Sequence, residues 1–185
     1  MERPVALKPV IYKLNLNLSD LNLQVYQDFN LTIALHPSET IERMVARILA
    51  FAMNADEDLS FTKGLSTVEE PDIWLRSLDG QTLLWLELGE PSVDRIKKAS
   101  RVAQLVKVYS FNSKSLVWWQ QESSKLERID AAYIRFEYEQ IQAASQLVSR
   151  TMKWYVTLND NTASIYSDLG ECDVQWQALN GRASQ

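Results

Sequence analysis

The residues most able to do chemistry in this chain lie on one hairpin. It runs Pro71-Asp72-Ile73-Trp74-Leu75-Arg76-Ser77-Leu78-Asp79-Gly80-Gln81-Thr82-Leu83-Leu84-Trp85-Leu86-Glu87-Leu88-Gly89. Asp79-Gly80 signals a two-residue turn, because both residue types tolerate the positive φ that such turns need. Folding the chain there sets Leu78 opposite Gln81, Trp74 opposite Trp85 and Asp72 opposite Glu87. Directly opposed side chains lie about 4.5–5.5 Å apart at Cβ. Two like charges at about 5 Å repel by about 3 kcal/mol at an effective dielectric near 20. Such a pair calls for a cation between the acids, and a metal ion or a lysine are the two candidates. The other face of the hairpin carries Ile73, Leu75, Leu84, Leu86 and Leu88, so a one-residue slip would bury both carboxylates instead. The competing reading makes Asp72 and Glu87 the solvated ends of a surface hairpin.

The elements around this hairpin follow from periodicity. Alternation of Tyr12, Leu14, Leu16 and Leu18, then of Phe29, Leu31, Ile33 and Leu35, predicts two strands that pair as a hairpin or meander. Ser38 to Asn54 reads as a helix capped by Ser38, with Ile41, Met44, Val45, Ile48, Leu49 and Ala52 as its apolar stripe. A short strand near Leu59 to Lys63 precedes the hairpin. A second helix starts at Pro91 or Ser92, with Ile96, Ala99, Val102 and Ala103 facing in, and Leu105 to Phe111 forms a strand. Beyond it come a short helix over Ser113 to Gln121, a strand over Ala131 to Glu137 and a helix over Glu139 to Val148. Three strands close the chain, Thr151 to Leu158, Ala163 to Ser167 and Cys172 to Leu179, with Asp160-Asn161 turning between the first two.

Pro71-Asp72 followed by Glu87-Leu88-Gly89 resembles the PD-(D/E)XK nuclease pattern, with Gly89 where that pattern has lysine. Wider stretches resemble the bacterial YaeQ family. They are His36-Pro37-Ser38-Glu39-Thr40-Ile41-Glu42-Arg43-Met44, Phe61-Thr62-Lys63-Gly64-Leu65, Trp85-Leu86-Glu87-Leu88-Gly89, Arg95-Ile96-Lys97-Lys98-Ala99, Tyr109-Ser110-Phe111-Asn112-Ser113 and Val117-Trp118-Trp119-Gln120-Gln121. The resemblance spans nearly the whole chain. It implies an α+β fold with a restriction-endonuclease-like core over roughly residues 36–112, a central mixed sheet flanked by helices, and extra strands at both ends. The helix, three strands, helix, strand order from Ser38 to Phe111 agrees with that core. The family brings no defined activity.

What the nuclease resemblance implies is metal-assisted phosphodiester hydrolysis. Asp72 and Glu87 would hold Mg²⁺ or Mn²⁺, which favours one or two carboxylates, water and phosphate oxygens. Nuclease cores of this kind often add a glutamate from the first helix, and Glu42, beside the apolar stripe, is the expected third ligand, ahead of Glu39. Glu39 and Arg43 also read as an ordinary solvated i,i+4 pair. With lysine missing at position 89, Lys98 or Lys97 on the following helix would stabilise charge on a phosphoryl oxygen, and Arg95 and Gln104 would contact substrate. The alternative is a catalytically inactive nuclease-like scaffold that binds nucleic acid or a protein partner. In that case Trp118-Trp119 offers a contact surface, although adjacent helical residues diverge by about 100° and one indole belongs to the core.

Composition narrows the field. The 185 residues, 46% of them hydrophobic, predict one compact domain over 1–185. No apolar run suits a membrane span or signal region, and the single cysteine, Cys172, suits a reducing cytoplasm. With one cysteine and one histidine, His36, Cys/His metal clusters are excluded, and a cysteine–histidine enzyme has little to build on. A net charge of −5 opposes broad duplex binding while leaving room for a local basic wall.

Overall fold

The structure, a computed structural model, describes residues 8–63 and 69–182. Gly64 and Leu65 of the Phe61–Leu65 motif lie outside the described residues. The chain begins with a long antiparallel hairpin, β1 (Val10–Asp20) and β2 (Val25–Leu35). Helix α1 (Ile41–Ala52) follows, then β3 (Ser60–Phe61), β4 (Ile73–Arg76), β5 (Thr82–Leu88), α2 (Val93–Val102) and β6 (Ala103–Ser110). The remainder is α3 (Ser115–Leu126), β7 (Ala132–Phe136), α4 (Tyr138–Ser145), β8 (Thr151–Asn159), β9 (Thr162–Ser167) and β10 (Gly170–Ala178). The expected helix, three strands, helix, strand order is therefore present from α1 to β6.

All ten strands join one mixed sheet in the order β2-β1-β8-β9-β10-β7-β6-β5-β4-β3. Parallel pairing joins β1 to β8 and runs through β5, β6 and β7; the other neighbours are antiparallel. The sheet is nearly closed around α1. Leu14, Leu16 and Leu18 from β1 share a core with Leu84, Leu86 and Leu88 from β5 and with Trp154, Val156 and Leu158 from β8. The two end strands converge on the same helix side chain: Phe29 of β2 and Phe61 of β3 lie 5.2 and 5.3 Å from the Phe51 ring. Helices α2 and α3 cover the outer face, where Ile96, Ala99 and Leu126 pack on Trp85, Val106, Val108 and Tyr133.

Three local expectations are corrected. The cap of α1 is Thr40, whose hydroxyl accepts the Arg43 N–H at 3.2 Å, while Ser38 instead bonds the His36 ring. The β4–β5 turn is a three-residue loop: Gly80 N donates to Ser77 O, Ser77 N donates to Gln81 O, and Gly80 alone carries the positive φ, +86°. This is the hairpin with a bulged glycine, which an Asp-Gly pair also suits. The register shifts near Arg76, yet Trp74 still faces Trp85 and Ile73 faces Leu86. Trp118 and Trp119 are both half-buried against Tyr133, and Trp118 Nε1 donates to Pro91 O at 3.2 Å, so neither indole is a free contact.

Helix α1 departs furthest from an amphipathic surface helix. Every residue from Met44 to Ala52 is buried, including the side expected to face water. Such all-round burial follows from placing a helix inside a curled sheet. Ala46 and Ala50 lie opposite the apolar stripe and are fully buried, so their small size sets how closely that side packs. Ala50→Leu should lower stability by about 1–3 kcal/mol through overpacking, seen as a lower urea midpoint with an unchanged slope. A neutral or stabilising effect would place that side of α1 in solvent.

Candidate functional site

The carboxylates sit where three elements meet the end of β5. Strand pairing stops at Ile73, and Asp72 N donates to Leu86 O at 3.1 Å. The Asp72 side chain then continues the sheet's bonding in place of a strand: its Oδ2 accepts the Leu88 N–H at 2.8 Å. Its Oδ1 accepts from Arg43 Nη2 of α1 at 2.5 Å. Glu87 shares the outer face of β5 with Trp85. Its Oε2 accepts from Trp85 Nε1 at 3.0 Å and its Oε1 from Arg95 Nε of α2 at 2.6 Å. Asp72 is 3% exposed and Glu87 5% exposed. The solvated-hairpin reading is therefore overturned, because both acids lie under helices.

Arginine side chains face the acids in this arrangement. Arg43 bridges Asp72 to Glu39, donating from Nη1 to Glu39 Oε1 at 3.1 Å. Arg47 donates to both Glu39 oxygens, at 2.7 and 2.9 Å, and to Ala34 O at 2.9 Å. Its guanidinium also lies 5.6 Å from the Phe61 ring centroid. Glu39 and Arg43 do form the expected i,i+4 pair, but it is largely buried, with the Glu39 and Arg43 side chains 3% and 14% exposed. Arg95 extends a further donor to Glu70 O at 2.8 Å. Three carboxylates thus face three guanidiniums. Asp72 is approached from the inner helix α1, and Glu87 from the outer helix α2.

Burial dominates the electrostatics. It raises the Glu87 pKa above its ordinary value; the Asp72 charge adds to that rise, and the bonds from Arg95 and Trp85 oppose it. Burial works against the Arg43 guanidinium, but the charges and hydrogen bonds of Asp72 and Glu39 outweigh it and hold its pKa up. Cys172 is half-buried, and burial raises its thiol pKa, which is the wrong direction for a nucleophile.

The remaining candidates are placed as follows. Glu42 lies half-buried in the first turn of α1 and makes no ion pair among the described residues. Lys97 and Lys98 are exposed on α2. Lys98 lines an open groove of about 820 Å³ with Trp74, Thr82, Trp85, Arg95 and Val102. Gln104 belongs to β6, since α2 ends at Val102, and its amide donates to Gln81 Oε1 at 3.4 Å. Gly89 follows β5 directly with a φ of +103°, and its N–H donates to Tyr109 O at 2.8 Å. A Cβ there would meet nothing within 4 Å, so the backbone alone disfavours a lysine at that position. Sequence reasoning missed Arg47, although Glu39, just ahead of α1, and Arg43 and Arg47 on it recur at four-residue spacing and mark a polar stripe opposite the apolar one.

The raised Glu87 pKa has a defined consequence for stability. A carboxyl that binds its proton more tightly in the folded chain contributes fully below the ordinary glutamate pKa. That contribution is lost as the pH rises through the raised folded value. Urea unfolding of the parent and of Glu87→Gln at about pH 4 and about pH 8 should show the variant gaining relative stability at the higher pH. A gap that stays constant, or that moves against the variant, would contradict the direction of the shift.

Comparison with known proteins gives one consistent result. The sequence pattern described as "YaeQ protein" matches residues 5–176. The chain is 39% identical over 178 residues to the Escherichia coli (strain K12) protein described as "Uncharacterized protein YaeQ", covering 94% of this chain and 98% of that one, and the same figures hold for the Salmonella typhi protein. The crystal structure of the YaeQ protein from Xanthomonas axonopodis pv. citri superposes with a TM-score of 0.90 at 30% identity, covering 93% of this chain and 98% of that one. The YaeQ protein from Pseudomonas syringae does so with 0.88 at 35% identity, covering 94% and 97%.

Proposed function

This chain belongs to the YaeQ family, and from that premise we propose that it is a binding protein on a nuclease-like, PD-(D/E)XK-type scaffold. One observation carries this reading: all four oxygens of Asp72 and Glu87 already accept from protein donors, with an arginine on each acid. A Mg²⁺ ion needs free carboxylate lone pairs and room for several waters. Among the described residues, no three His, Cys, Asp or Glu side chains come together in a way that could hold a metal ion. The donor set as arranged does not fit a resident divalent cation. Gly89, in place of the pattern's lysine, is a second departure from hydrolysis.

The groove beside the cluster supplies the binding chemistry. Trp74, half-buried, is the indole that this groove offers; Trp85 opposite it is 5% exposed and bound to Glu87, Lys98 stands exposed at the margin, and Glu69 and Asp94 line the same groove. An indole ring such as that of Trp74 can stack on a nucleic-acid base for about 1–3 kcal/mol, and the exposed Lys98 ammonium suits a phosphate. Nucleic acid is therefore the proposed ligand. It is single-stranded, because a chain of net charge −5 lacks the broad basic face that duplex binding uses.

A second reading keeps hydrolysis, with Asp72, Glu87 and Glu42 around Mg²⁺ or Mn²⁺ and Lys97 or Lys98 facing the phosphate. It rests on the Asp72 charge raising the Glu87 pKa, a repulsion that a divalent cation would relieve. It requires Arg43 and Arg95 to release the acids.

Titration with short single-stranded DNA and RNA, followed by tryptophan fluorescence in EDTA, tests the binding reading. Saturable quenching that weakens with salt, and falls several-fold in affinity in Trp74→Ala and Lys98→Ala, is the expected outcome. No quenching by either polymer would overturn it. Millimolar Mn²⁺ should leave the Tm of the parent unmoved; a rise that vanishes in Asp72→Ala would favour the hydrolytic reading.

A further inference from the structure

Among the described residues, strand β2 ends the sheet and pairs only with β1. The direction of its unused backbone groups follows from bonds on the far side of β1. Lys13 N donates to Arg150 O, and Ile11 O accepts from Arg150 Nε, so the odd-numbered residues of β1 turn their backbone groups toward β8. The even-numbered ones therefore turn toward β2, and Tyr12, Leu14 and Leu16 lie opposite Ile33, Leu31 and Phe29. That leaves the N–H and C=O groups of Tyr26, Asp28, Asn30, Thr32 and Ala34 on the free edge. Arg47 takes the Ala34 carbonyl. From Tyr26 to Thr32 no protein partner bonds the edge backbone among the described residues.

Among the described residues this edge lacks the usual protection. Natural edge strands carry lysine, proline, a bulge or a covering element. β2 runs eleven residues with one charge, Asp28, no proline, and an unbroken register against β1. The side chains that share the even-numbered positions point outward and form a ladder with β1: Lys13 Nζ donates to Thr32 Oγ1 at 2.7 Å, Asn15 to Asn30 at 2.8 Å, and Asn17 to Asp28.

We infer that β2 pairs antiparallel with β2 of a second copy of this chain, about a two-fold axis at Asn30. Asn30 then bonds Asn30 of the other copy, and Asp28 bonds Thr32 of the other copy twice over, by symmetry. Neighbouring strands lie about 4.8 Å apart, so the ladder continues across the axis. Lys13, already resting on Thr32, meets Asp28 of the second copy. Asn30, bonded to Asn15 within each copy, meets its own equivalent across the axis. The isologous contact is thus complementary in charge and in amide pairing, as a two-fold interface requires. On the inner face, Phe29 lies opposite Leu31 of the other copy, extending the partly buried rows of both cores.

Sedimentation equilibrium of the purified full chain across the micromolar range tests this. The parent should be dimeric at tens of micromolar. Thr32→Pro removes an edge N–H while leaving the backbone bonds to β1 intact, losing only the exposed Lys13 contact to the Thr32 hydroxyl, and should be monomeric with an unchanged circular-dichroism spectrum. Asp28→Lys should weaken the dimer at least tenfold by setting like charges together, and Lys13→Glu combined with Asp28→Lys should restore it. A monomeric parent, as expected if the edge instead serves a foreign strand, would overturn the inference. So would a dimer indifferent to both Thr32→Pro and Asp28→Lys, which would place the interface elsewhere.

Discussion

The fold around the site depends on one guanidinium. Arg43 stands between Glu39, just ahead of its own helix, and Asp72, twenty-nine residues further along the chain. Without it, the Asp72 carboxylate would be left buried beside Glu87 with only the Leu88 amide to hold it. With it, the end of β5, the start of β4 and the first turns of α1 are fixed against one another. Breaking a buried ion pair from one side costs about 3–5 kcal/mol, because the partner is left charged and dry. The same physics makes the cluster weak evidence for net stability. It ties the start of α1 to the residue ahead of β4 in a fixed geometry.

The other arginines share the load in the same manner. Arg47 neutralises Glu39 and ties α1 to the end of β2 through Ala34 O. Arg95 neutralises Glu87 and ties α2 to Glu70 just ahead of Asp72. Planar guanidiniums bind two partners at once in fixed geometry, which a lysine ammonium does less well. A cluster meant to cross-link helices from both faces of a sheet is therefore better built from arginine. The same bonding leaves the two acids few lone pairs for a metal ion, and so the activity proposed for this chain moves to the indole-lined groove beside them.

Much of this was legible in the sequence, for reasons that can be named. Alternation and turn residues located every strand to within a few positions, and the Trp74–Trp85 pairing followed from the hairpin alone. The register that sets Asp72 near Glu87 followed from the apolar face of β5. The burial of the acids did not follow, because an i,i+4 pair such as Glu39–Arg43 reads the same whether solvated or enclosed. Only the closing of the sheet around α1 encloses it. The identity of the cation was missed for the same reason: Arg43 and Asp72 are brought together by tertiary structure. Asp79-Gly80 fits two turn types, and Ser38 and Thr40 are both competent caps, so local chemistry left each choice open.

The central claim is that Arg43 and Asp72 are a coupled buried pair that sets the geometry of the site. A double-mutant cycle of Arg43→Met and Asp72→Asn, read by urea unfolding at neutral pH, tests it most directly. Arg43→Met alone should cost about 3–5 kcal/mol, and the double variant should be more stable than the sum of the two single losses predicts, by about 2 kcal/mol or more. Losses that add to within about 0.5 kcal/mol would mean that the two side chains are energetically independent, and would contradict the account.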